Sequence, residues 1–183
     1  MKIVITSLSL LLTALASCKV QEPVLIVVEK NSAWKNVAMA GLKHWEGYYP
    51  KAYRCAAGVK TIGYGFTSRE HVSLGCISKT KAINILKSKY DECGTVVDRT
   101  VTVPLTPNQR AALISFTYNV GERNLRMLVN GKDRLNSGNY DSVPQKLVLY
   151  CRAGSKELEG LKLRRKWETE IWNGRIPTKY GNE

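Results

Sequence analysis

The spacing of apolar residues divides the chain into a helical segment, a strand-rich segment and a longer helical part. From Trp34 to Trp45, apolar residues recur at steps of three and four, which is the period of an amphipathic helix. Ser32 is a candidate N-cap for this helix. We expect the helix to end at Glu46 and Gly47, since glycine favours the backbone conformation found just after helices.

Residues 48–77 have the pattern of short strands and tight turns. Tyrosine, valine, threonine and isoleucine alternate there with four glycines, which is typical of strands joined by turns. We expect Ala57 and Gly58 to form the turn of a hairpin whose second strand is Val59–Tyr64.

A helical pattern returns after residue 77. Ser78 is the candidate N-cap of a long helix, and Pro107 suits the first turn of another. The predicted inner face of the first of these helices comprises Ala82, Ile83, Leu86 and Tyr90. Turns are predicted at Gly121, Gly131, Gly138 and Gly154. Because the strands cluster in one segment, the predicted class is α+β, with a small β-containing N-terminal lobe, a larger helical C-terminal lobe and a cleft between them.

The N-terminus has the pattern of an export signal. Lys2 precedes an apolar run over Ile3–Ala16, and small residues follow it. The stretch from Leu15 to Cys18 resembles a bacterial lipobox, in which the cysteine is lipidated. We therefore predict a lipoprotein-type signal peptide over 1–17. A plain secretion signal and a weak membrane anchor that is later released are the alternatives.

These features predict three parts of the chain. The signal peptide is followed by a tether over 18–31 and by one folded domain over 32–183. The expected location is the periplasmic or outer face of a membrane, reached through the lipid anchor or the signal segment, or the cell exterior if the chain is secreted or released.

Charge and cysteine content restrict the possible partners. The formal net charge of +13 favours contact with polyanions, which include nucleic acid, anionic lipid and cell-wall polymer, and no nucleic-acid-binding motif accompanies it. If Cys18 is lipidated, four cysteines remain for disulfides, and their pairing is open. The chain has no CxxC pair and two histidines, His44 and His71, so we expect no metal site.

Glu46 is the first candidate for chemistry. It lies where the first helix gives way to the strand-rich segment, flanked by Trp45 and two tyrosines. Partial burial beside aromatic rings favours the protonated form of a carboxyl group, which an acid catalyst needs. A lone glutamate at a helix end is more often a solvated side chain.

The spacing around Glu46 resembles a known family. Eight residues separate Glu46 from Cys55, five separate Cys55 from Thr61, and Thr61 leads into the sequence Ile-Gly-Tyr-Gly. This resembles the catalytic triplet of phage-type lysozymes of glycoside hydrolase family 24. A block over 105–121 and another over 160–172 resemble the family's cleft-lining and closing helices. The resemblance covers residues 33 to 175.

The resemblance implies a lysozyme-like fold and a muramidase that acts alone on peptidoglycan glycan strands. Glu46 would be the general acid, and Cys55 with Thr61 would hold the attacking water on the opposite face of the sugar. The β-1,4 bond between N-acetylmuramic acid and N-acetylglucosamine would then be hydrolysed with inversion. Gln109 and Asn119 would be sugar binders, although exposed polar residues of a helix are equally consistent with the sequence.

We also derive expectations for two arginines, for three tryptophans and for cofactors. Arg164 or Arg165 could pair with Glu46, with a solvated basic face expected for at least one of them. Trp45, Trp167 and Trp172 are expected in the core rather than as sugar platforms, because each follows an amphipathic helix pattern. No metal or organic cofactor is expected, and one chain is sufficient for the activity.

Two positions depart from the commonest family pattern. Cys55 stands where aspartate is usual, and a thiol, with an ordinary pKa of about 8.5, is mostly protonated at neutral pH. We therefore expect Cys55 to position the water more than to deprotonate it. Alternatively, Cys55 is a disulfide partner, which would keep the enzyme latent until thiols release it. Phe66 stands where histidine is common.

Two further readings of the same residues remain. The substitutions at Cys55 and Phe66 are compatible with a lysozyme-like lipoprotein that holds glycan strands, or inhibits another enzyme, without cutting. A lytic transglycosylase, whose product cyclises without water, is less consistent with Thr61, which holds water in the family.

Overall fold

The computed structural model describes residues 23–55 and 58–177. In this part of the chain the architecture is α+β, as the sequence predicts. The helices are α1 (Pro23–Glu46), α2 (Arg69–Val72), α3 (Lys79–Thr100), α4 (Pro107–Val129), α5 (Ser142–Leu147) and α6 (Glu159–Trp172), with a 3₁₀ turn at Leu135–Ser137. The strands are β1 (Tyr49–Arg54), β2 (Lys60–Gly63), β3 (Arg152–Ala153) and β4 (Lys156–Glu157).

Helix α1 begins earlier than predicted and ends where predicted. It starts at Pro23 rather than after Ser32, so Ser32 is not its N-cap. Proline suits the first position of a helix, where its missing N–H is not needed, and the next proline is Pro50. The end at Glu46 is confirmed, and Gly47 follows with a positive φ of 65°.

The predicted boundaries at the N-terminus are only partly covered. Residues 23–31 of the predicted tether belong to helix α1, whereas the predicted signal peptide over 1–17 and the lipidation site Cys18 lie outside the described residues. Among the described residues, no helix is both long enough and apolar enough to cross a bilayer.

Strands β1 and β2 form the predicted hairpin. They pair antiparallel, with Tyr53 opposite Thr61 and Arg54 opposite Lys60. The turn is closed by a hydrogen bond from the Gly58 N–H to the Cys55 carbonyl, 2.8 Å long. The hairpin therefore places Cys55 at its tip and Thr61 on its second strand.

The core is built around helix α4. Residues 111–117 of this helix are buried without interruption, as expected for a helix surrounded by other elements, and it packs against α1, α3 and α6. Pro107 occupies its first turn, as predicted, and the backbone leaves helical geometry at Gly121.

Helix α3 packs against α4 as its sequence pattern predicts. The Ser78 side chain accepts a hydrogen bond from the Lys81 N–H and caps the helix. Three of the four predicted inner residues, Ala82, Leu86 and Tyr90, are buried, and Ile83 is half-buried against the core.

The structure corrects the prediction that strands occur in one segment only. Strands β3 and β4 form a second small hairpin around the predicted turn at Gly154. Two-residue strands are too short to produce a detectable alternation of apolar and polar residues. The core assignment of the tryptophans is confirmed, since Trp167 and Trp172 are buried and Trp45 packs against the core.

Candidate active site

The Glu46 carboxylate lies at the C-terminal end of α1, facing helix α6. Arg164 of α6 donates from Nη1 to Glu46 Oε1 at 2.6 Å. The side chains are 3% exposed for Arg164 and 17% exposed for Glu46, so the ion pair is shielded while one edge of the carboxylate stays open. A charge-assisted hydrogen bond of this length fixes the position of the carboxyl group.

Gly65 forms the second wall around this carboxylate. A Cβ atom at residue 65 would lie 3.1 Å from Glu46 Oε2, and the φ of Gly65 is +81°. Glycine therefore satisfies two requirements here, the left-handed backbone and the close approach of the chain to the carboxylate. The second glycine of the Ile-Gly-Tyr-Gly sequence, Gly65, therefore lies against the acid in the fold, although the two are not neighbours in the sequence.

Arg164 belongs to a buried polar cluster, whose other members are Glu168, Ser115, Arg165 and Asn119. Arg164 Nη2 donates to the Ser115 carbonyl at 3.2 Å, and Arg164 Nε contacts Glu168 Oε1 at 3.3 Å. The Ser115 hydroxyl donates to the same Glu168 oxygen at 2.8 Å. Glu168 is fully buried, so its charge is balanced within the protein rather than by water.

The structure contradicts the expectation that one of the two arginines is solvated. Arg165 is as deeply buried as Arg164 and donates from Nη2 to Asn119 Oδ1 at 2.7 Å. Its Nε lies 3.2 Å from Glu168 Oε2, an ion pair without hydrogen-bond alignment. Burial lowers the pKa of Arg165, and the neighbouring Glu168 opposes that shift. Both arginines are buried because Glu168 follows them by three and four residues on one helix, so one carboxylate neutralises part of each.

Cys55 and Thr61 are joined through a single backbone carbonyl. The Val59 oxygen accepts from the Cys55 N–H at 3.0 Å and from the Thr61 hydroxyl at 3.1 Å. The Thr61 hydroxyl hydrogen is therefore committed, and its oxygen is available to accept a hydrogen bond from a water. Cys55 is half-buried and Thr61 is buried.

Electrostatics connect the hairpin to the acid. The pKa of Tyr53, which lies opposite Thr61 in the hairpin, is raised by burial first and then by Tyr49, Cys55 and Glu46. The geometric link is Gly65, which approaches the Glu46 carboxylate and follows β2, the strand that carries Thr61. Glu46 therefore lies near the end of the hairpin that carries Cys55 and Thr61.

Tyr118 is a residue of this region that the sequence pattern does not single out. Its hydroxyl donates to the Tyr64 carbonyl at 2.7 Å, which ties helix α4 to the segment that carries Gly65. The pKa of Tyr118 is raised, by burial first and then by Glu46. The sequence pattern does not single out Glu168 or Ser115 either. The four-residue step from Arg164 to Glu168 is nevertheless typical of ion pairs on a helix, and this spacing could have indicated their contact.

Gln109 and Asn119 are engaged in contacts within the protein. The Gln109 side chain accepts from the Thr106 N–H at 3.0 Å, which caps the start of α4. Asn119 lies ten residues further along, about 15 Å away on the helix axis, beside Arg165. Asn119 is thus next to the polar cluster of the candidate site, whereas Gln109 is at the opposite end of the buried part of α4. Their predicted sugar-binding role stays a prediction.

Phe66, which stands where histidine is common in the family, is part of the hydrophobic core. Phe66 is buried and pairs through its backbone with Ile62, and its ring lies 5.5 Å from that of His71. Cys76, Cys93 and Cys151 are thiols in the part of the chain that the structure describes. Burial raises the pKa of Cys93 to about 11.

Comparison with known proteins places this geometry in a family. A family model described as phage lysozyme matches residues 43–168. The chain belongs to the phage lysozyme family. The matched segment includes Glu46, Cys55, Thr61 and the buried arginines, and it confirms the family and the lysozyme-type enzyme class predicted from the sequence.

Individual relatives agree with this assignment. The chain is 32% identical over 142 residues to the endolysin of Bacillus phage B103, covering 75% of this chain and 54% of that endolysin. It thus spans about half the length of that relative. It is 30% identical over 140 residues to the SAR-endolysin of Escherichia phage Mu, covering 76% of this chain and 81% of that protein.

A solved structure supports the fold. The endolysin from Escherichia coli O157:H7 phage FAHEc1 superposes with a TM-score of 0.64 at 26% identity, covering 78% of this chain and 94% of that one. The predicted lysozyme-like α+β fold is confirmed.

Proposed function

We propose that this chain is a peptidoglycan hydrolase that cleaves the β-1,4 bond between N-acetylmuramic acid and N-acetylglucosamine, with inversion. The observation that carries the proposal is the Glu46 carboxyl group held by Arg164 and Gly65 close to the hairpin that presents Cys55 and Thr61. An inverting glycosidase needs an acid on one side of the sugar and a held water on the other.

Glu46, protonated on Oε2 because Oε1 accepts from Arg164, would pass its proton to the oxygen of the leaving sugar as the bond to the anomeric carbon breaks. A water held by Thr61 and Cys55 would attack that carbon from the opposite face and release one proton to the solvent, from which Glu46 would regain a proton before the next turnover. The Thr61 oxygen can accept a hydrogen bond from this water, because its own hydrogen is donated to Val59. Arg164 would keep the acid in place and is therefore a positioning residue. Asn119, next to Arg165, would contact a sugar near the bond, and Gln109 would contact a more distant one.

Export completes the proposal. A signal peptide over 1–17, with lipidation at Cys18 or later release from the membrane, would carry the domain over 32–183 to its cell-wall substrate. The net charge of +13 would hold the protein near anionic wall polymers. Such attraction is screened by salt, so we expect lysis to weaken as ionic strength rises.

The test is the clearing of a suspension of purified peptidoglycan by the full chain, by Glu46→Gln and by Glu70→Gln. Glu70 is an exposed glutamate of α2 and serves as the matched control. We expect the parent and Glu70→Gln to clear the suspension and Glu46→Gln to be at least about 100-fold slower. Clearing by Glu46→Gln at the parent rate would refute the role of Glu46.

A non-cutting lipoprotein is the alternative function, because Cys55 and Phe66 replace the usual residues. Absence of clearing with and without reductant, together with retained binding to peptidoglycan, would favour it. Clearing only with reductant would instead indicate that a disulfide keeps Cys55 latent, and equal clearing in both conditions would refute that latency.

A further inference from the structure

Two tyrosine rings lie against each other on the hairpin that carries Cys55 and Thr61. The ring centroids of Tyr49 and Tyr53 are 4.5 Å apart, and the ring planes are tilted by 39°. Tyr49 is 48% exposed and Tyr53 is half-buried. Neither ring belongs to the hydrophobic core that the described residues form, or to the side chains packed against it. An exposed aromatic pair outside the core points to binding rather than to packing.

An irregularity in the hairpin brings these rings together. Tyr49 is opposite Gly63 and Tyr53 is opposite Thr61, so four steps along β1 match two steps along β2. In a regular strand, residues four apart are separated by about 13 Å along the strand. Bulges of this kind are frequent beside active sites, where they redirect side chains. The irregularity coincides with the two positions whose rings, Tyr49 and Tyr53, lie against each other.

Each tyrosine of the pair adjoins a different part of the candidate active site. A Cβ atom at Gly47, the residue after Glu46, would lie 3.2 Å from Cε2 of the Tyr49 ring. Tyr53 lies opposite Thr61 across the hairpin. A glycan strand whose scissile bond is between Glu46 and Thr61 would therefore pass close to the strand that carries the two rings.

The chemistry of the rings fits a sugar. The ring hydrogens of a pyranose form an apolar face, whereas its hydroxyl and N-acetyl groups remain polar. A tyrosine has the matching form, with an apolar ring face and a hydroxyl group that stays in water. We propose that Tyr49, supported from behind by the Tyr53 ring, offers its exposed ring face as a stacking platform for one N-acetylhexosamine ring of the glycan strand next to the bond that is cut. This inference rests on the proposed function and adds a binding subsite to it.

The test measures binding without cleavage. In the full chain carrying Glu46→Gln, binding to purified peptidoglycan is measured by co-sedimentation for Tyr49→Ala, Tyr49→Leu and Tyr49→Phe. We expect Tyr49→Ala and Tyr49→Leu to bind about tenfold more weakly, because they lack a flat ring face. Tyr49→Phe keeps the ring and is expected to bind like its parent.

The matched control is Leu149→Ala, which removes a side chain that is 64% exposed outside the hairpin. We expect it to leave binding unchanged. Equal binding by the parent, Tyr49→Ala and Tyr49→Leu would overturn the platform, and so would an equal loss of binding in Leu149→Ala. Unfolding midpoints near that of the parent verify that each variant is folded.

These outcomes are separate from those of the proposed function. Binding that depends on the Tyr49 ring, without clearing by the unsubstituted chain, would support the platform and refute cleavage. Clearing that depends on Glu46, with binding indifferent to Tyr49, would support cleavage and overturn the platform.

Discussion

The acid and the water-holding residues are fixed by two different kinds of structure. Glu46 is positioned by Arg164, which is 118 residues away in sequence and is anchored in a buried polar cluster between α4 and α6. Cys55 and Thr61 are positioned by one carbonyl of their own hairpin, within six residues of chain. The first arrangement depends on the whole core, whereas the second depends on local hydrogen bonds of a hairpin whose first strand is largely exposed and whose second strand is largely buried.

Because of this difference, substitutions in the two regions should affect the stability and the activity of the protein to different extents. Removing one partner from a buried ion pair leaves an uncompensated charge, so changes in the polar cluster should lower the free energy of unfolding as well as the activity. Changes to single side chains of the hairpin should lower activity with little loss of stability. The predictions below test this division from the largest expected effect to the smallest.

Glu168→Gln is expected to have the largest effect on stability. The substitution retains the shape of the side chain but leaves Arg165 without its buried counter-charge and Arg164 with Glu46 as its remaining ion-pair partner among the described residues. Loss of one member of such a cluster typically costs about 3–5 kcal/mol, which would be measured as a lower free energy of unfolding in urea. Glu170→Gln, on the same helix, breaks an exposed pair with Arg175, which follows the end of the helix, and should cause a much smaller change. Equal stability of the two variants would contradict the role of the buried cluster.

Thr61→Val tests the opposite case on the hairpin. Valine has nearly the shape of threonine but cannot hold water, and Val59 retains its hydrogen bond from the Cys55 N–H. We expect clearing of peptidoglycan to slow by about 100-fold with an almost unchanged unfolding midpoint. Thr67→Val, at an exposed position, is the control and should behave like the parent. A large loss of stability in Thr61→Val would show that the hairpin is not an independent local unit.

Gly65→Ala should affect both properties. The alanine would occupy a positive φ, at a cost of about 1–2 kcal/mol, and its Cβ would lie 3.1 Å from the Glu46 carboxylate. Gly75→Ala has a similar φ of +66° with no atom within 4 Å of the added Cβ. We expect the unfolding midpoint to fall in both variants and the clearing rate to fall in Gly65→Ala only. Unchanged activity in Gly65→Ala would show that contact with Gly65 does not position the acid.

The last prediction is the pH dependence of the helical region, an effect that is confined to alkaline pH. Burial raises the pKa of Cys93 from 9.0 to about 11 in the folded protein, so the unfolded thiol loses its proton first as the pH rises. Folded-state stability should therefore decline between about pH 9 and 11. Cys93→Ala should show a shallower decline of the unfolding midpoint in this window, and Cys76→Ala, at an exposed position, should match the parent. Identical slopes for Cys93→Ala and the parent would contradict the burial of this thiol.

The sequence predicts the local features of the site well. The end of α1 at Glu46, the hairpin turn, the cap at Ser78 and the helix start at Pro107 all depend on residues close to the backbone they affect, so their signals lie within a few residues. The helix start at Pro23 was missed because Ser32 offers a competing N-cap signal.

The long-range features could not be predicted in the same way. Two adjacent arginines normally indicate a solvated face, and only the folded structure shows that Glu168, Ser115 and Asn119 meet them in the interior. The stacked tyrosines are likewise hidden from the pattern, because a regular strand would keep Tyr49 and Tyr53 apart.

The most direct test of the account is mass spectrometry of the soluble products that the full chain releases from purified peptidoglycan. Hydrolysis with a water held by Thr61 predicts fragments ending in a reducing N-acetylmuramic acid, in amounts that fall in Thr61→Val and Glu46→Gln. Fragments lighter by one water, with a cyclised end, would show transglycosylation and contradict the role assigned to Thr61. Absence of any fragments in all redox conditions would contradict the proposed enzyme.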